Sequence, residues 1–213
     1  MTSLPFIIFQ FLTLIFSVII HEISHGFMAE RLGDQTARFA GRLTLNPLRH
    51  IDPFGSIILP LILFITHSPV VIGWAKPVPY NPLNLRKDLK YGPLKVALIG
   101  PISNFLVLIV VGLFARLGVG FLNPTTIGLL GFVALLNASL AIFNLVPIPP
   151  LDGSKILTVL FPRYALAIER TGLYGIFLVF VFLYLFSNIL FLIIARVFFF
   201  VVGPNVFLAT LGT

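Results

Sequence analysis

Residues 4–28 read LPFIIFQFLTLIFSVIIHEISHGFM, and this stretch decides the fold class. An apolar run of this length crosses a bilayer, which takes about 20 residues of helix. Further apolar runs follow throughout the 213-residue chain, which is 58% hydrophobic and only 10% charged. Soluble domains carry about 25% charged residues, so this chain cannot cover a water-facing surface. The sequence therefore predicts an all-α polytopic membrane protein. There is no cysteine, which excludes disulfides and thiolate metal sites. Any transition metal must use His, Asp or Glu. The formal charge is +7. Its basic residues lie between apolar runs, so it reads as topology and contact with anionic lipid, not as nucleic-acid binding.

Outward from the opening run, residues 30–53 are polar and carry Arg31, Arg38, Arg42 and Arg49. Within them, residues 37–45 (ARFAGRLTL) partly alternate, which predicts a short strand pair turning at Gly41. A shorter apolar run at 54–66 is interrupted by Pro60 and followed by Pro69. A second polar stretch, 76–95, holds Lys76, Arg86, Lys87, Lys90 and Lys95. Helices are predicted over about 96–117 and 127–145, joined by a turn at Asn123-Pro124. The last apolar run, 172–211, is too long for one simple span. It suggests two helices turning near Ser187-Asn188, or one helix with an interfacial piece. The N-terminus lacks the basic region and small-residue cleavage site of a signal peptide, so the first run is expected to be retained.

Charge decides the topology. The N-terminal flank has no charged side chain, whereas 30–53 has four arginines. By the positive-inside rule the first helix runs from outside to cytoplasm. If 54–66 crossed the membrane, five basic residues would lie outside. The expectation is a re-entrant or buried segment, which must be enclosed by protein or line a wet cavity.

His21-Glu22-Ile23-Ser24-His25 matches H-E-x-x-H. On a helix, positions i and i+4 share a face, so both imidazoles can hold one ion while the adjacent Glu22 acts on a water. Zinc lowers the pKa of such a water to about 7, and Glu22 would take its proton and pass it to the leaving amine. The bland alternative is a polar helix-packing patch. Ionisable groups at membrane depth cost about 2.5–3.5 kcal/mol each and need compensation, which a metal supplies. Catalytic zinc commonly takes three protein ligands. The remaining acids are Glu30, Asp34, Asp52, Asp88, Asp152 and Glu169. Depth favours Asp152, which follows a helix returning to the same side. Its flanking Pro147, Pro149, Pro150 and Gly153 stop that helix. A loop or capping aspartate is the competing reading.

HEISH together with residues 144–153 (NLVPIPPLDG) resembles the two signatures of the site-2 protease family of intramembrane metalloproteases. Residues 100–104 (GPISN) and the spacing also fit. The resemblance covers roughly residues 10–160 and is to the compact branch, without PDZ or CBS domains. It implies one Zn2+ per chain, held by His21, His25 and Asp152, with Glu22 as the catalytic acid-base. It implies hydrolysis of peptide bonds in transmembrane proteins or signal peptides, while size and the lack of targeting segments suggest a cell membrane and the charge topology an active site near the cytoplasmic side. Asn104 and Asn144 match polar positions of the family and are expected to steady the site or to support the substrate or oxyanion, with helix–helix glue as the competing reading. On this reading residues 1–213 form a single membrane-embedded metalloprotease domain, with its catalytic core over about 4–160 and C-terminal membrane helices over about 165–211.

Other polar groups have plainer readings. Asn137 reads as helix–helix glue, His50 and His67 as loop residues, and Asp52 in 46–55 (NPLRHIDPFG) as a turn or capping residue. Residues 73–80 (GWAKPVPY) are kept extended by proline and, with 37–45, are candidates for pairing with an unwound substrate. Trp74 reads equally as an interface anchor. Two other functions compete. A CAAX-type membrane protease also uses H-E-x-x-H, but takes its third ligand from a Glu on a later helix, and no later apolar run has one. A non-catalytic metal transporter or metal sensor would place polar groups at mid-membrane on several helices. Here they gather at one side. Oligomeric state is not legible.

Overall fold

A computed structural model describes residues 4–53, 76–165 and 172–211, together with residues 58, 62 and 65. The element order is α1 (Leu4–Arg31), α2 (Thr36–Phe39), α3 (Gly92–Gly118), α4 (Pro124–Asn144), α5 (Ser154–Leu160) and α6 (Gly172–Leu211). Four of these, α1, α3, α4 and α6, are long and apolar enough to cross a membrane.

Helix α3 is central and packs against α1, α4 and α6, while α4 also packs on α6. The core between α3, α4 and α6 joins Leu108, Ala115, Ile127, Ala134, Ala138, Phe198, Val202 and Val206. Small residues dominate the α3–α4 side. In a bilayer, helices associate by close van der Waals packing, and small side chains let backbones approach. The outward faces of α1 and α6 carry exposed Ile7, Phe11, Leu12, Phe177, Tyr184 and Phe191, as lipid-facing surfaces require. Helix α1 buries Ser17, Ile19, His21, Ile23, Gly26 and Ala29, all in its C-terminal half.

Local signals explain the element ends. Asn123 caps α4 by accepting from Thr126 N–H at 2.7 Å, with Pro124 following it. The tripeptide Asn-Pro-Leu occurs twice and opens the same kind of turn each time. Asn46 accepts from Leu48 N–H at 3.1 Å and Asn81 from Leu83 N–H at 3.0 Å, each opening a 3-10 turn. Helix α6 has 40 residues, roughly 60 Å at 1.5 Å per residue, twice a bilayer core of about 30 Å. Its regular path breaks at Gly203 (φ 76°, ψ 174°), just before Pro204. Positive φ suits glycine, and Pro204 has no N–H for the Phe200 carbonyl. Arg116 Nη1 approaches the Phe200 and Val201 carbonyls at 3.4 Å instead. The long run thus divides at Gly203, and the chain stays helical through Ser187-Asn188.

The strand pair expected over 37–45 does not form, and no strand occurs among the described residues. Asp34 caps this stretch into a helical turn instead, accepting from Thr36 N–H at 3.2 Å and Thr36 Oγ1 at 2.5 Å. Arg42 N–H then closes onto Ala37 O at 3.0 Å. The expected re-entrant segment 54–66, His67 and Trp74 lie almost wholly outside the described residues.

The polar connections gather at one end of the bundle. Asp34 also accepts from Asn81 N–H at 2.7 Å and Asn84 Nδ2 at 3.1 Å, stapling the turn after α1 to the segment before α3. Lys87 N–H donates to Leu32 O at 3.1 Å. Ala29, Leu85 and Val96 bury a small apolar cluster beneath.

Candidate metal centre

The last turns of α1 place His21 and His25 on one face, their ring centroids 4.7 Å apart and their planes at 87°. Each Nδ1 is engaged. That of His25 lies 2.6 Å from Val96 O on α3, and that of His21 lies 2.7 Å from Asn104 Oδ1. Both Nε2 atoms therefore turn inward. The carbonyl of Val96 only accepts, so the His25 ring proton is on Nδ1 and its Nε2 presents a lone pair.

Asp152 arrives from the turn after α4. Gly153 N–H donates to Asn144 O at 2.7 Å and Leu151 N–H to Ile148 O at 2.9 Å, closing the turn, which contains a cis Pro149–Pro150 bond. This aims Asp152 Oδ2 to within 3.0 Å of His21 Nε2 and 3.4 Å of His25 Nε2. Oδ2 is buried without a hydrogen-bond partner. A buried carboxylate oxygen without a hydrogen-bond partner is costly, and the lone pair on His25 Nε2 beside it does not relieve that cost. A cation does. Donors about 2.0–2.2 Å from a tetrahedral zinc stand roughly 3.3 Å apart, and the two spacings to Asp152 match. These residues fit zinc.

Glu22 stands beside the pair, and ligand atoms of His21, Glu22 and His25 lie within 4.8 Å of one another. Its Oε2 accepts from Val78 N–H at 2.8 Å. The extended segment carrying Val78 is held from behind. Lys76 N–H donates to His50 O at 2.9 Å. Arg42 Nη2 donates to Lys76 O at 2.8 Å and Pro77 O at 3.1 Å, and its Nη1 donates to Arg49 O. Arg42 is buried. It clamps carbonyls, and sequence reasoning missed it because arginine at a polar turn reads as a topology charge.

The other acids are engaged elsewhere. Glu30 pairs with Arg38, and Asp88 pairs with Lys95 at 2.7 Å. Burial alone would raise the Asp34 carboxyl, but hydrogen bonds from Thr36, Asn81 and Asn84 outweigh it and hold its pKa below the usual aspartate value. Asp52 is half-buried in the 50s turn, and Glu169 lies outside the described residues. His50 is buried with Nε2 donating to Thr44 O at 2.8 Å.

Asn104 and Asn144 part company. Asn104 is 0% exposed. Its Nδ2 donates to Asn137 Oδ1 at 2.8 Å and to Ser17 O at 3.3 Å, so it has no free N–H for a substrate. It backs His21. Asn144 donates to Leu140 O on its own helix at 3.0 Å, and its backbone carbonyl holds Gly153. Sequence reasoning gave Asn137 and Ser17 no part in the site. Ser17 stands four residues before His21, and that helical spacing was the available signal.

Comparison with known proteins agrees with this architecture. The family model of Peptidase family M50 matches residues 121–187, which include α4 and the Asp152 turn. The chain is 38% identical over 170 residues to "Putative zinc metalloprotease YwhC" of Bacillus subtilis, covering 76% of this chain and 72% of that protein. It is 32% identical over 143 residues to "Putative zinc metalloprotease Rip2" of Mycolicibacterium smegmatis, and 31% over 139 residues to Rip2 of Mycobacterium tuberculosis. Each Rip2 match spans 64% of this chain and 51% of the relative, about half its length. No solved structure matches the chain. With relatives of that identity and coverage, and four helices long and apolar enough to span a bilayer, the chain belongs to peptidase family M50 as a multi-pass membrane protein.

Proposed function

We propose that the chain is an intramembrane zinc metalloprotease that hydrolyses peptide bonds of membrane-spanning substrates, including signal peptides. One zinc is held by His21, His25 and Asp152, and Glu22 is the general base and acid. The observation that carries this reading is the convergence of His21 Nε2 and His25 Nε2 on the partnerless, buried Asp152 Oδ2. When bound, zinc supplies Lewis acidity that polarises a carbonyl and acidifies water.

The residues do the rest. Val78 N–H fixes Oε2 of Glu22, so the carboxylate faces the histidines in one orientation and Oε1 is available for a proton. Glu22 takes the proton of the attacking water and delivers it to the leaving amine. A substrate helix must unwind first, because its peptide bonds are enclosed in internal hydrogen bonds. The proline-held strap at 76–80 lies beside Glu22 and offers an extended template next to the reacting centre.

The test is zinc content and cleavage of a model transmembrane peptide by the purified chain. Glu22→Gln is expected to keep zinc and lose about 10²- to 10⁴-fold in cleavage rate. Asp152→Ala is expected to lose zinc. Normal cleavage by Glu22→Gln removes the general-base assignment. Zinc binding with no cleavage by the wild-type chain favours the transporter or sensor reading.

A further inference from the structure

Behind His21, three helices share a polar cluster that a bilayer interior disfavours. Ser17 (α1), Asn104 (α3) and Asn137 (α4) are buried, and both asparagines are 0% exposed. Asn137 makes no contact with the metal-facing side of His21, yet its bonds decide how Asn104 is oriented. The hydrogens can be assigned one by one. Asn137 Nδ2 lies 2.9 Å from Val133 O, a carbonyl that only accepts, and its other hydrogen goes to Ser17 Oγ at 2.9 Å. Asn137 therefore turns Oδ1 toward Asn104. Asn104 must answer with Nδ2, at 2.8 Å, and its second hydrogen goes to Ser17 O, another carbonyl, at 3.3 Å. Asn104 is left with Oδ1 facing His21 Nδ1 at 2.7 Å. Two acceptors cannot face each other at that distance, so Nδ1 carries the proton and Nε2 the lone pair.

We infer that Asn137 and Asn104 form a hydrogen-bond relay of fixed polarity, anchored on the Val133 and Ser17 carbonyls, that sets the His21 tautomer and presents Nε2 to the metal. The inference rests on the zinc reading above and deepens it. Asn104 and Asn137 are positioning residues, acting on the metal only through His21. His25 receives the same instruction from a backbone carbonyl, which no side-chain substitution can flip. His21 depends on an amide, which could rotate by 180° and offer N–H groups to Nδ1. That rotation would favour the Nε2–H tautomer and close the ligand position. Asn137 prevents it by requiring Asn104 to donate.

The experiment uses the full chain in detergent, with zinc affinity from chelator competition and the His21 tautomer from ¹⁵N shifts of the metal-free protein. Thermal stability of the metal-free protein is the third readout. Asn104→Leu is expected to weaken zinc binding by about 10- to 100-fold, the range for metal-supporting partners. Asn137→Leu, remote from the metal, is expected to weaken zinc several-fold and to mix the two His21 tautomers. If Asn137→Leu changes only the metal-free melting temperature, leaving zinc affinity and tautomer as in wild type, the cluster is helix-packing glue and the relay is overturned. His21→Ala separates the two levels. If it retains full zinc affinity, the metal reading itself fails. If it loses zinc while Asn137→Leu does not, the relay alone fails.

Discussion

At the scale of single residues, the site is built by close approach. Gly100 faces the imidazoles, and a Cβ there would stand 2.5 Å from His25 Nε2 and 2.7 Å from His21 Cε1. The α3 backbone can reach the histidines only because this position has no side chain. Overpacking of this kind costs about 1–3 kcal/mol, and every 1.4 kcal/mol is tenfold in affinity. Gly100→Ala is therefore expected to weaken zinc binding by roughly tenfold or more while the helices persist by circular dichroism. Unchanged zinc affinity would show that the rings move aside without cost. The sequence marked Gly100 only as part of GPISN, since its function is the absence of atoms against a partner 75 residues away.

At the scale of elements, Asp34 does for the polar connections what small residues do for the helices. One buried carboxylate accepts from Thr36, Asn81 and Asn84 and joins the turn after α1 to the segment that leads into α3. Its pKa is lowered on folding, because those hydrogen bonds outweigh burial. A depressed carboxyl contributes stability that is fully present above the unfolded aspartate value, near 3.9, and is lost as pH falls through the lower folded value. The acid limb of the unfolding curve should therefore lie below about pH 4. Asp34→Ala is expected to flatten it and to destabilise the protein at neutral pH by about 3 kcal/mol, the scale of losing charged hydrogen bonds. Thermal melts from pH 3 to 7 measure both, and an unchanged acid limb in the variant would assign the pH dependence to another group.

The same scale shows where sequence reading stopped. Helices over about 96–117 and 127–145 are observed as Gly92–Gly118 and Pro124–Asn144, because long apolar runs opened by proline in the first turn dictate their own helicity. The strand pair at 37–45 failed because Asp34, outside the alternating pattern, caps a helical turn. The break in α6 lies at Gly203-Pro204 and not at Ser187-Asn188. Serine and asparagine are tolerated in a membrane helix, whereas positive φ and a missing N–H interrupt one.

At the scale of the whole molecule, charge is segregated along the bundle axis. Arg38, Arg42, Arg49, Lys76, Arg86, Lys87, Lys90 and Lys155 lie on the connections at the metal-bearing end. The α3–α4 turn at the opposite end has Arg116 nearby. By the positive-inside rule the expected outcome is that the metal-bearing end faces the cytoplasm. The absence of cysteine makes this measurable without background. Lys87→Cys and Thr125→Cys both introduce thiols at exposed positions, at the two opposite ends. In intact cells an impermeant maleimide is expected to label Thr125→Cys and to spare Lys87→Cys until the membrane is opened. The reverse pattern would invert the topology.

The sequence by itself determined the membrane class and the helices α1, α3 and α4, and it singled out the H-E-x-x-H residues of the proposed site. Composition, apolar run length and a five-residue helical motif are local properties, and local physics suffices to read them. Only the tertiary structure decided how the set is oriented. Asn104 lies behind His21, Arg42 holds the strap beside Glu22, and Gly100 leaves room for both rings. Each of these is an agreement between segments distant in sequence, fixed by hydrogen-bond direction and excluded volume, and such agreement exists only once the helices have packed.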